Sequence, residues 1–226
     1  MDLEPLGSRI RDEFDAKVAA RERALSASRK AIRSSANGIR ALHRGERDKA
    51  SELMEEARAA IADGVAAAAD HPDVGQGGFL QDAQKEYAEA RFTEAIIDGS
   101  QAAPTPEELG VELAPYLNGM SEAVGEARRQ ILDHLRKGDV ATGERMLAAM
   151  EEIYSLLATV DYPDAITRNL RRSTDVARSI MEKTRGDLSL SLVQRDLKDA
   201  LDRHAKAVLG EAPSAASAPA SGSDDA

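Results

Sequence analysis

The sequence predicts an all-α fold. Apolar residues recur at helical spacing through almost the whole chain, and no stretch alternates with the two-residue period of a strand. Aromatics are only 3% of a 226-residue chain that is 42% hydrophobic, and Trp is absent, so Ala supplies much of the apolar content. Small side chains suit closely packed helices better than sheets. The helical segments fall near 8–44, 46–69, 78–98, 106–136, 139–159 and 163–208, with Gly186 offering a break in the last, which makes six or seven helices. Their boundaries carry helix-breaking residues: His71-Pro72 with Gly75, Gly77 and Gly78, then Pro104 and Pro106, then Lys137-Gly138-Asp139, then Tyr162-Pro163-Asp164. The length suits one helical domain over 1–209. From Gly210 to Ala226 the sequence turns to Pro, Ser and Ala with a closing Asp pair, and a disordered acidic tail is expected there.

Zero Cys excludes disulfides, thiolate metal sites and cysteine nucleophiles, and leaves carboxylates and four His as metal ligands. Any metal should therefore be a hard cation. No apolar run approaches the roughly 20 residues that span a bilayer, and the N-terminal stretch has no signal-like apolar segment, so a cytoplasmic protein without membrane contact is expected. The formal net charge of -10 opposes a nucleic-acid partner on average, because phosphate binding needs clustered Lys and Arg. Any such partner must meet a local basic surface.

Two segments place carboxylates in helical register. In Gln84-Lys85-Glu86-Tyr87-Ala88-Glu89-Ala90, Glu86 and Glu89 stand three apart and project from one side of a helix. In Gly119-Met120-Ser121-Glu122-Ala123-Val124-Gly125-Glu126, Glu122 and Glu126 stand four apart, with Leu117, Met120, Val124 and Ile131 turned the other way. Taken alone, each pair is the ordinary solvated face of a helix, since acidic residues number 40. Brought together, four carboxylates would repel one another unless a divalent cation neutralised them, and oxygen ligands suit Mg2+ or Mn2+.

Four stretches, in order, resemble the translin/TRAX family over about residues 20 to 190. Ser28 to Arg44, ending Leu42-His43-Arg44, resembles the family's first long helix. Gln84 to Phe92 resembles the Glu-Tyr-x-Glu-Ala signature of the TRAX branch, whose glutamates serve metal-dependent ribonuclease chemistry and fall on Glu86 and Glu89. Tyr116 to Arg129 resembles a Tyr-Leu-x-Gly-x-x-Asp-x-x-Gly-Glu pattern, whose acidic residues fall on Glu122 and Glu126. Tyr162 to Leu188 resembles the last helix with its basic-Gly close. One departure is chemical: Glu122 stands where the pattern has Asp, one methylene longer.

The resemblance implies a seven-helix bundle assembling into a hollow barrel of eight subunits that encloses nucleic acid. Archaeal-type TRAX-like proteins are the nearest branch. Glu86, Glu89, Glu122 and Glu126 would then be both the metal ligands and the catalytic residues of a magnesium-dependent endoribonuclease, with manganese as substitute. The target would be short single-stranded or small structured RNA, with single-stranded DNA as a further ligand and a translin-like paralogue as a further subunit. Arg29, Arg33, Arg40 and Arg44 are spaced 4, 7 and 4 along one helical stripe, and with His43 they are the candidate nucleic-acid contacts. The alternative is a translin-like protein that binds RNA or DNA without cutting it. A di-metal oxidase bundle would need Glu-x-x-His motifs, and the sequence has none.

Overall fold

The computed structural model describes residues 1–210. The expected tail therefore lies outside the described residues, except for Gly210, which ends the last helix. The chain divides into two units, Met1–Leu188 and Ser189–Ala226. Among the described residues there are six long helices, α1 (Glu4–His43), α2 (Arg47–Ala68), α4 (Phe79–Asp98), α6 (Leu113–Arg136), α7 (Val140–Leu157) and α9 (Leu170–Gly210). Three single turns, α3 (Pro72–Gly75), α5 (Pro106–Leu109) and α8 (Asp164–Thr167), join them, and no described residue lies in a strand. None of these helices is long and apolar enough to cross a membrane.

Small residues set the helix spacing. The buried face of α1 reads Ala20, Ala24, Ser28, Ala31, Ser35, Gly38 and Ala41, and α2 answers with Ala50, Ala57, Ala60 and Gly64. With little side-chain bulk between them the two backbones approach closely along an antiparallel hairpin, turned at Gly45 with φ +75. Helix α4 packs against α1, α2 and α6, and α7 packs against α6. Tyr87 is 1% exposed and joins Ile39, Leu42, Met54 and Ile61 in one cluster of the core.

Two boundaries differ from the periodicity. The segment expected over 106–136 is interrupted: the capping box of Thr105 and Glu108 starts α5, Gly110 ends it with φ +66, and α6 begins afresh at Leu113. The last segment does not break at Gly186, which is exposed in the middle of α9 with open space around it. It breaks instead at Arg168 and Asn169, the two non-glycine residues with positive φ (53 and 63) among those described. Within Met1–Leu188, α9 buries Leu170, Ala177, Met181, Thr184 and Leu188, and Arg128 of α6 donates to Thr184 Oγ1 (3.0 Å) and Asp187 Oδ2 (2.7 Å). In the second unit the described residues are the C-terminal part of the same helix, which exposes Leu190, Val193, Leu197, Leu201 and Val208.

Candidate metal centre

Helix α4 buries Tyr87, Ala88 and Ala90, so the intervening Glu86 and Glu89 are left half-buried at the edge of its packed face. Helix α6 does the same with Ala123, Val124 and Ala127, leaving Glu122 and Glu126 half-buried. The two edges meet because Gly119 has no side chain. A Cβ there would lie 2.7 Å from Ala88 Cβ and 2.8 Å from Glu89 N, and would press on the carbonyl of Lys85, so only glycine lets α6 cross α4 at this depth. As a result, one carboxylate oxygen each from Glu86, Glu89 and Glu122 can lie within 4.8 Å of the others.

Glu126 stands one turn further along α6 and is engaged from α1. Its Oε2 accepts a hydrogen bond from His43 Nε2, while Gln130 donates Nε2–H to His43 Nδ1 at 2.6 Å. Acceptance at Nδ1 places the ring proton on Nε2, pointing at the carboxylate. The His43 side chain is 6% exposed, so it does not share the solvent-facing stripe with the arginines that precede and follow it. It positions Glu126, whose carboxyl lies below the usual range chiefly because of this hydrogen bond.

Lys85 reaches into the cluster from the same turn of α4. Its Nζ donates to Glu122 Oε2 at 2.6 Å and Oε1 at 2.8 Å and lies 3.3 Å from Glu86 Oε1. Burial favours the neutral amine, but the hydrogen bonds to Glu122 and the charges of Glu122 and Glu86 outweigh it and hold the ammonium above its ordinary range. Glu89 receives no such partner. Burial first, then the charges of Glu122, Glu86 and Glu126, push its carboxyl up to about 8, with Lys85 opposing weakly. Near neutral pH the cluster thus holds a proton on Glu89 and an ammonium between Glu86 and Glu122. A site that gathers both kinds of positive charge is suited to a cation, and its all-oxygen donor set suits a hard divalent one.

Two clefts flank Glu122. One, of about 380 Å³, is lined by Glu89, Ser121, Glu122, Arg172, Ser173 and Ile180 among others. The other, of about 430 Å³, is lined by Gln81, Asp82, Lys85, Asn118, Glu122 and Arg168 among others. Arg168 and Arg172 form no ion pair among the described residues although carboxylates line the same clefts. Sequence reasoning missed both. Their place follows from the left-handed pair at Arg168 and Asn169, stabilised locally by Asn118, which donates to Thr167 O and accepts from Ser173 Oγ, both at 2.9 Å. In the linear pattern only Asn169, a residue type that tolerates positive φ, hints at that turn.

The arginine stripe on α1 is exposed at all four positions. Arg44 is paired with Glu46 (2.6 and 2.7 Å), and Arg40 donates to Asn37 Oδ1 at 2.5 Å. Arg29 and Arg33 form no ion pair among the described residues.

No protein-family model matches the sequence. An uncharacterized protein of Methanocaldococcus jannaschii is 30% identical over 193 residues, covering 83% of each chain. Among solved structures, AfC3PO superposes with a TM-score of 0.77 at 32% identity, covering 83% of this chain and 97% of its own. AfC3PO in complex with duplex RNA gives 0.76 at 33% identity with the same coverage. Apo-NeC3PO gives 0.73 at 21% identity, covering 81% and 96%, and shares the fold.

Proposed function

The chain belongs to the translin/TRAX family, and from that premise we propose that it is a nucleic-acid-binding protein that cuts RNA with the help of magnesium. The observation that carries the catalytic reading is the convergence of Glu86, Glu89 and Glu122 within ligand distance of one cation, with Glu126 beside them. These residues would hold magnesium, or manganese in its place, and the ion would supply water activation and stabilisation of charge on the scissile phosphate. His43 keeps Glu126 ionised and oriented. Arg168 and Arg172, on the walls of the flanking clefts, would bind the phosphates on either side of the cut. Short single-stranded or small structured RNA is the proposed substrate, with weak base specificity, since few aromatics are available to stack bases.

AfC3PO is seen with duplex RNA, and retention of RNA by this chain is proposed on the same surface logic. A net charge of -10 is compatible with that if the acidic surface faces outward and Arg29 and Arg33, both exposed, face the nucleic acid. We propose a homo-oligomer, an octamer by family, with a translin-like paralogue as an alternative co-subunit. The exposed apolar residues Leu6, Ile10, Phe14 and Val18 on the first half of α1, with Leu3 just before it, support assembly, because a lone soluble chain rarely exposes so continuous an apolar stripe.

The deciding experiment is cleavage of labelled RNA by purified protein with magnesium or with EDTA, for the wild type and for the Glu86→Ala/Glu89→Ala double variant. Magnesium-dependent cleavage lost in the variant supports the reading. Equal cleavage by the variant removes these residues from the chemistry, and RNA retention without cleavage by either protein leaves the non-catalytic binding reading.

A further inference from the structure

The ammonium of Lys85 lies inside the carboxylate cluster rather than beside it. It donates to both oxygens of Glu122 and lies 3.3 Å from one oxygen of Glu86. The Lys85 side chain is only 25% exposed, so this is not a long surface lysine resting on a neighbour. Two of the three residues that converge within ligand distance are therefore already engaged by a cation that belongs to the chain. A divalent ion drawing on the same oxygens cannot occupy that space together with the ammonium, because both must contact the same lone pairs and their charges repel at close range.

We propose that Lys85 is a tethered counter-cation that competes with the divalent ion for Glu86 and Glu122, holding the metal affinity below what these carboxylates alone would give. This rests on the metal-binding reading above. The arrangement has a structural benefit in the absence of metal. Lys85 belongs to α4 and Glu122 to α6, so the ion pair ties the two helices across Gly119 and keeps the half-sites together. When these oxygens are given up to a divalent ion, the ammonium of Lys85 would withdraw into the adjoining cleft of about 430 Å³, which Lys85 already lines. Glu89 makes no hydrogen bond or ion pair with Lys85, so it is the one of the three converging carboxylates that the ammonium does not occupy.

The test is Mn2+ binding to the full-length protein, stripped of metal, by titration calorimetry and by the electron paramagnetic resonance signal of free Mn2+ at constant pH and salt. Lys85→Met removes the charge and keeps the length, Lys85→Arg keeps a cation, and Glu89→Gln removes a ligand. The expected result is Mn2+ affinity at least about 10-fold tighter in Lys85→Met, unchanged or weaker in Lys85→Arg, and lost in Glu89→Gln. Metal-free Lys85→Met should also melt below the wild type and gain more from added Mn2+, which shows the variant folded and its carboxylates uncompensated. Equal or weaker affinity in Lys85→Met, with binding still lost in Glu89→Gln, overturns the role of Lys85 and leaves the metal site standing. No Mn2+ binding by any of the proteins at millimolar concentration overturns the site and this inference together.

Discussion

Gly119 on α6 sits so close to Glu89 on α4 that a single methyl at position 119 would stand 2.8 Å from the Glu89 amide nitrogen. The obstacle is backbone, not the far end of a flexible side chain, so it cannot turn aside. Gly119→Ala should push the helices apart and destabilise the fold by about 1–3 kcal/mol, the usual range for overpacking. The same displacement separates Glu86 and Glu89 from Glu122, so Mn2+ affinity should fall in protein that is still folded. Urea unfolding followed by circular dichroism gives the first quantity and calorimetry the second; unchanged values in both would show that the crossing has slack.

The proton on Glu89 predicts a pH dependence with a definite sign. A carboxyl at about 8 in the folded chain, against 4.5 for an unperturbed glutamate, binds its proton more tightly folded than unfolded. Its contribution to stability is therefore complete below about 4.5 and is lost as pH rises toward 8. Metal affinity runs the other way, because the ion must displace that proton, and should rise between pH 6 and about 8 and then level off. Glu89→Gln should remove the fall in metal-free stability over this window. Thermal unfolding across the pH series checks it, and an unchanged slope in the variant would assign the dependence to another group.

The long helices and the acidic cluster are legible in the sequence. Helical periodicity predicts each long helix, because a buried stripe at 3.6-residue spacing is written directly into the order of residues. Register and resemblance point to Glu86, Glu89, Glu122 and Glu126, and the fold brings the first three together. The partners of that cluster were not legible. Lys85 reads as an ordinary neighbour of Glu86, and only the α4–α6 crossing shows it reaching Glu122, distant in sequence. His43 reads as one more basic residue near an arginine stripe, yet burial turns its ring toward Glu126. The turn at Arg168 and Asn169 escaped for a different reason: neither residue is glycine, Arg168 gives no sign of a left-handed backbone, and Asn169 gives only the weak one that asparagine tolerates it.

Glu122 departs from the aspartate of the family pattern, and the structure indicates what the extra methylene does. From α6 its carboxylate reaches Lys85 with both oxygens, at 2.6 and 2.8 Å. Glu122→Asp would withdraw it by about one carbon-carbon bond. A misplacement near 1 Å can cost about 100-fold in rate, so kcat for RNA cleavage should drop by about 10- to 100-fold while KM stays near its wild-type value. Steady-state kinetics under saturating magnesium test this. An increase in kcat would mean that the extra length is a handicap in this scaffold.

Arg29, Arg33 and Arg40 of the α1 stripe hold no internal ion pair among the described residues, Arg40 being bonded to the neutral Asn37, whereas Arg44 is occupied by Glu46. Removing an arginine engaged with a carboxylate costs phosphate binding less than removing one that is free. Arg29→Ala and Arg33→Ala should therefore each weaken RNA retention similarly across sequences and lower the salt-dependence slope by about 1, while Arg44→Ala changes it less. Filter binding across a salt series distinguishes them. Equal effects at all three positions would show that the Glu46 pair opens when RNA arrives.

Phe14 tests the proposed assembly without touching the metal cluster. It is 59% exposed and lies on one stripe of α1 with Ile10 and Val18, which are 44% and 57% exposed. A side chain so exposed contributes little to the fold of one subunit, so Phe14→Asp should leave the unfolding of an isolated subunit nearly unchanged. In an oligomer that buries the stripe, losing one Phe contact forfeits about 1.5–3 kcal/mol at each interface, and burying an unpaired carboxylate adds to the loss. Sedimentation velocity should therefore show the wild type as a large assembly and Phe14→Asp as smaller species. If cleavage and RNA retention need the enclosure, both should fall along with the mass, whereas Mn2+ binding, built within one chain from Glu86, Glu89 and Glu122, should persist. A wild-type protein that sediments as a monomer would remove the enclosure while leaving the metal cluster to be judged by its own titration.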